Sequence, residues 1–181
     1  MIIIAGALAS GALSASAHYV HRQKETSEQR VARITAKLRI ASGLSQLIPN
    51  VVVDPSQDFN AYNTGLEIHV NQGLIDKLEN DDELALVIGH EMSHSTLMHM
   101  GVVFGYPDVP GLNPNNSTPL QAILESQADK MGAYYMMRAG YDICKGREFV
   151  KVMNVATDGD FLNGDHPPNS YRYEQLNINC S

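Results

Sequence analysis

The stretch that decides the reading is Asn80-Asp81-Asp82-Glu83-Leu84-Ala85-Leu86-Val87-Ile88-Gly89-His90-Glu91-Met92-Ser93-His94. Asn80 followed three residues later by Glu83 is a capping-box pattern, with Asn in the usual place of Ser or Thr, and it predicts a helix start. Leu84, Leu86, Val87 and Ile88 make that helix apolar nearly all round, which predicts burial. His90 and His94 are four apart, a rotation of about 40° at roughly 100° per residue, so both imidazoles leave one face about a turn apart. Glu91 stands on the flank between them. Two buried histidines and a carboxylate are costly unless a positive charge joins them. The pattern suits two ligands of a tetrahedral zinc ion, with Glu91 reaching a metal-bound water without being a ligand. The plainer alternative is a pair of core histidines bonded to backbone carbonyls.

A zinc peptidase needs a third protein ligand and an open fourth position. The metzincin arrangement requires Gly at position 97 and His at position 100, where this chain has Leu97 and Met100. His99 is nine residues from His90, about 180° around a continuous helix, so its ring is expected to point away from the metal. A di-iron site would need a second Glu-x-x-His, which the chain does not contain. Thr118-Pro119-Leu120-Gln121 starts another helix, expected to run to about Arg138 and to stop at Gly140. On it Glu125 and Asp129 share a face. One can ligate the metal while the other accepts the second ring N–H of a ligand histidine, and spacing alone leaves open which does which. His166 is followed by Pro167 and Pro168, which hold its backbone extended. A fixed imidazole there can donate to a developing oxyanion or fill the open metal position, or it can be a turn histidine without a role.

Working outward, Val31, Ile34, Leu38, Ala41 and Leu44 give Ser27 to Leu47 an amphipathic helical spacing with a basic outer face, read as a solvated face. Val51-Val52-Val53 reads as a short buried strand, and Leu66 to Val70 alternates as a half-buried one. Leu74 to Leu78, Gly146 to Ala156 and Tyr171 to Leu176 read as helices. Gly101 to Pro119 holds four prolines, three glycines and three asparagines, which makes it a loop. It is expected to border the cleft.

Of 181 residues 44% are hydrophobic and 18% charged, enough for a core and against wholesale disorder. The net charge of −7 counts against a nucleic-acid partner. Met1 to Ala17 has no charged side chain and ends in Ala15-Ser16-Ala17, so residues 1–17 are expected to be a signal peptide. An uncleaved membrane anchor or a buried helix are the alternatives, and no basic residue precedes Ile2. Residues 18–181 then form one domain, exported to the periplasm or envelope, with Cys144 and Cys180 expected to pair.

Taken together these motifs resemble the family-48 gluzincin metallopeptidases, the group that holds HtpX-like proteases, periplasmic assembly-quality proteases and the CAAX prenyl proteases. The matching features run from about Gln29 to Leu176. They are Arg30-Val31-x-x-Ile34, Asn60-Ala61-Tyr62, Gly73-Leu74-Ile75, His90 to His94, Glu125-x-x-Ala128-Asp129, Gly140-Tyr141-Asp142, and His166-Pro167 with Arg172 six positions on. The resemblance implies an α+β, zincin-like fold in which a small mixed sheet packs on the active-site helix. It implies one zinc ion per chain held by His90, His94 and Glu125, with Asp129 behind them. It gives Glu91 the role of general base, His166 that of transition-state stabiliser or latent fourth ligand, and Arg172 that of holding the His166 loop. The strand carrying Leu66, Glu67 and Ile68 is expected to be an edge that pairs with an extended substrate. The chain departs from larger relatives in having no run of transmembrane helices and no C-terminal repeat domain, which makes prenylated proteins unexpected substrates. The expected function is zinc-dependent endopeptidase acting on unfolded or misassembled proteins. A zinc-binding chaperone or assembly factor with weak or latent proteolysis is the alternative.

Overall fold

The computed structural model describes residues 25–99, 119–156 and 169–180. The N-terminal segment 1–17, the loop between Gly101 and Pro119, and His166 with its two prolines lie outside the described residues.

Helix α1 (Ser27–Ser42) begins at a capping box in which Thr26 Oγ1 accepts from the Gln29 backbone N–H, and it ends where Gly43 turns left-handed at φ 69°. Val31, Ile34 and Leu38 are its buried stripe. Arg30 and Arg33 from its basic face pair with Asp81 at 2.8 Å each, tying α1 to the start of the histidine helix. The expected continuation to Leu47 is a separate 3₁₀ turn, Ser45–Leu47, beyond that glycine.

Three strands follow: β1 (Asn50–Asp54), β2 (Ala61–Asn63) and β3 (Glu67–Asn71). Their order is β1-β3-β2. The β1 and β3 strands run parallel with Val51 opposite Ile68, while β2 runs antiparallel to β3 with Asn63 opposite Ile68. This corrects the expected edge. Glu67 and Ile68 belong to the central strand, paired with β1 on one side and β2 on the other, and Leu66 sits in the β2–β3 turn, 85% exposed. Among the described residues the strand with an unpaired outer side near the histidine helix is β2.

Helix α2 (Gln72–Lys77) leads to α3 (Asp81–Thr96). The capping box is formed as read: Glu83 N–H donates to Asn80 Oδ1 at 3.0 Å, and Asn80 N–H donates to Glu83 Oε2 at 3.3 Å. Every residue from Glu83 to Ser93 is buried. Helix α4 (Pro119–Arg138) packs along α3, followed by α5 (Ile143–Gly146), α6 (Phe149–Ala156) and α7 (Asn169–Gln175). Two glycines set the α3–α4 crossing. A Cβ built on Gly132 would lie 2.6 Å from His90 N, and one on Gly89 would lie 3.0 Å from Gly132 O. Backbone therefore meets backbone one residue before the first histidine, which brings the acidic face of α4 over it. Cys144 and Cys180 form a disulfide that ties the C-terminal segment to α5, as the even cysteine count predicts. No helix among the described residues is long and apolar enough to cross a membrane.

Candidate metal centre

Near its C-terminal end, helix α3 presents His90 and His94 from one face, and α4 presents Glu125 opposite them. One ligand atom from each lies within 4.8 Å of the others. His90 Nε2 stands 3.1 Å from His94 Nε2 and 3.1 Å from Glu125 Oε2, and His94 Nε2 stands 3.4 Å from Glu125 Oε1. Ligands at about 2.0–2.1 Å in a tetrahedron are separated by roughly 3.3 Å, so the donor triangle has the edges a zinc ion requires. Two ring nitrogens facing at 3.1 Å also need a proton or a cation between them.

Behind the triangle, Asp129 Oδ1 accepts from His90 Nδ1–H at 2.9 Å, which leaves the Nε2 lone pair directed into the site. Arg172 of α7 donates to the same carboxylate through Nη2 at 2.6 Å and Nε at 2.8 Å. All three side chains are buried. Burial by itself would lower the His90 pKa, but hydrogen bonds to Asp129 and Glu125 outweigh it and push it up to about 10. The field that favours a proton there favours a metal cation too. Burial by itself would raise the Asp129 pKa, but Arg172 and His90 hold it well below the usual carboxylate range. Sequence spacing left the parts of Glu125 and Asp129 open. The structure puts Glu125 at the Nε2 side of both rings and Asp129 at Nδ1 of His90. Arg172 is committed to Asp129; the loop the resemblance assigned to it lies outside the described residues, as does His166.

Glu91 is not among the three converging ligands. Its Oε1 lies 4.0 Å from His90 Nε2, beside the triangle, and its backbone carbonyl accepts from Asn63 Nδ2 at 2.8 Å. The same Asn63 amide donates to Ser95 Oγ at 2.7 Å, so the end of β2 is bonded onto the helix next to the site. Sequence reading took Asn63 as turn chemistry and missed this contact.

His99 corrects another expectation. Its ring packs edge-on against His94 with centroids 5.1 Å apart, and Nδ1 faces Nδ1 at 3.1 Å. The rotation argument assumed a continuous helix, but α3 ends at Thr96 and Met98 adopts φ 59°, which turns the chain back toward the site. His99 is still no ligand to the triangle. Burial lowers its pKa from the ordinary imidazole value, so the ring is neutral at neutral pH.

Two histidines and a glutamate converging on one point, with a second carboxylate alongside, are the equipment of a mononuclear metallohydrolase. The model of peptidase family M48 matches residues 25–106, which takes in α1, the sheet and the helix with both histidines. Over that segment the chain is similar to peptidase family M48, whose members are zinc-dependent metallopeptidases. The match ends before Glu125, whose place beside the two histidines is given by the distances above. Comparison with curated proteins gave no match.

Proposed function

We propose that the chain is a zinc-dependent endopeptidase that cleaves unfolded or misassembled proteins in the bacterial envelope. The supporting observation is the His90, His94 and Glu125 triangle with Glu91 beside it. Bound zinc would supply Lewis acidity, polarising the scissile carbonyl and lowering the pKa of its water to about 7. Glu91 takes the proton of the attacking water and returns it to the leaving amine. Asp129, held by Arg172, keeps His90 in the Nδ1–H tautomer, with the Nε2 lone pair facing the site. Asn63 ties β2 to the Glu91 carbonyl, so a peptide extended along the outer side of β2 would present its backbone next to Glu91. His166 assists at the oxyanion. Similarity to peptidase family M48 over residues 25–106 supports a zincin-like arrangement, and the contact of β2 with α3 agrees with it. The uncharged segment 1–17 and the Cys144–Cys180 disulfide support an exported, single-domain protein.

The test is zinc content and casein cleavage of the full chain before and after chelation. One equivalent of zinc, cleavage abolished by the chelator and recovered with zinc is the expected result. Zinc bound at one equivalent with no cleavage would replace this reading with that of a zinc-binding assembly factor.

A further inference from the structure

We propose that His99 and Gln127 form a positioning pair that fixes the tautomer and aim of His94, doing for the second histidine what Asp129 does for the first. The inference rests on the zinc reading in taking His94 Nε2 as the metal donor.

Three rings and an amide stand in line. His90 Nε2 faces His94 Nε2, His94 Nδ1 faces His99 Nδ1 at 3.1 Å, and His99 Nε2 faces Gln127 Oε1 at 3.2 Å. Proton positions along this line can be assigned from either end. From the metal end, a lone pair on His94 Nε2 requires the His94 proton on Nδ1, where it donates to His99 Nδ1. An accepting Nδ1 requires the His99 proton on Nε2, where it donates outward. From the other end, Gln127 Oε1 can only accept, which also demands His99 Nε2–H. Both ends give the same order. Reversing the Gln127 amide would drive the proton onto His94 Nε2 and close it to a metal.

The backbone is bent to make this contact. Met98 is a non-glycine residue in the left-handed region, at a cost of roughly 1–2 kcal/mol, and it is 68% exposed, so its side chain gains little from the turn. After the turn His99 is 3% exposed, with its ring against that of His94. An exposed methionine is thus held in an unfavourable conformation whose structural result is the His99–His94 contact. The two metal histidines consequently have unlike supports. His90 donates to a carboxylate and His94 to a neutral imidazole, whose outer partner Gln127 lies at the surface.

The experiment compares wild type with His99→Phe, which keeps a ring but has no acceptor, and His99→Asn, whose side-chain oxygen can take the place of Nδ1. Zinc affinity is measured by competition with a chromophoric chelator, and the His94 imidazole is followed by ¹⁵N NMR in the zinc-loaded full chain. Expected are a His94 Nδ1–H resonance in slow exchange with scalar coupling across to His99 Nδ1, and a zinc Kd weakened about 10–100-fold in His99→Phe but largely recovered in His99→Asn. Gln127→Leu should give a smaller loss and a mixed His94 tautomer. A His99→Phe protein, folded by circular dichroism, with unchanged zinc affinity and an unchanged His94 Nδ1–H signal would overturn the proposal. If wild type binds no zinc, the zinc reading fails; the NMR coupling between His94 and His99, measured without it, still decides the proton order.

Discussion

Gly132→Ala sets two effects of opposite sign against each other. In a helix interior alanine is favoured over glycine by about 0.8–1.0 kcal/mol, so propensity alone predicts a more stable protein. At this crossing the added methyl would lie 2.6 Å from His90 N and 2.8 Å from the Gly89 carbonyl carbon. The first distance falls about 0.8 Å inside the 3.4 Å at which ordinary contact begins. Both obstacles are backbone, with no flexible side-chain end to swing aside. Overpacking of that kind costs about 1–3 kcal/mol, which cancels the propensity gain and leaves a net loss of up to about 2 kcal/mol. The larger consequence is at the site, because the helices that must part are those that carry His90 and Glu125. Zinc ligands tolerate displacements of about 0.2 Å, so zinc affinity should fall at least tenfold. Gly89→Ala, whose methyl would meet Gly132 O at 3.0 Å, should be milder on both counts. The assay is urea unfolding followed by far-ultraviolet circular dichroism, since the chain has no tryptophan, together with competitive zinc titration. A Gly132→Ala protein more stable than wild type with zinc affinity within about threefold of it would refute the reasoning.

Removing one partner of a buried ion pair leaves a charge without compensation, so Arg172→Met should cost about 3–5 kcal/mol in urea unfolding. Because the Asp129 pKa is held below its ordinary 3.8, the stability it gives is complete above that value and lost as pH falls through the folded value. The gap between wild type and Arg172→Met should therefore narrow below about pH 4, and a gap independent of acid would speak against the pair. The Cys144–Cys180 bridge spans 36 residues, a loop whose closure contributes about 4 kcal/mol. It also anchors the segment that carries Arg172. The double Cys→Ser variant should lose stability by that order and bind zinc more weakly; unchanged values in both measurements would show that α7 holds its place without the bridge.

The histidine helix, its cap and its burial were legible in the sequence because they are local. A capping box and an all-round apolar pattern act within one element, and a four-residue spacing fixes a helical face without help from the rest of the chain. Glu125 and Asp129 were legible as a pair, but which faces the metal depends on the distance and angle between two helices. That crossing had a sequence signal that went unread: Gly89 and Gly132, each unfavourable inside a helix, mark the place where two backbones touch. Strand β2 was missed because three residues show no periodicity. The edge was assigned to β3 because strand order is a property of the whole sheet. His99 was misplaced for a single reason, the left-handed Met98, which ends the helical rotation on which the estimate depended.

The most direct test of the central claim is Glu91→Gln, which removes the base and leaves His90, His94 and Glu125 in place. Zinc content and casein cleavage are measured on the variant and the wild type side by side. The account predicts one equivalent of zinc in both and cleavage lowered by about 10²–10⁴ in the variant. Cleavage by Glu91→Gln at the wild-type rate would contradict it.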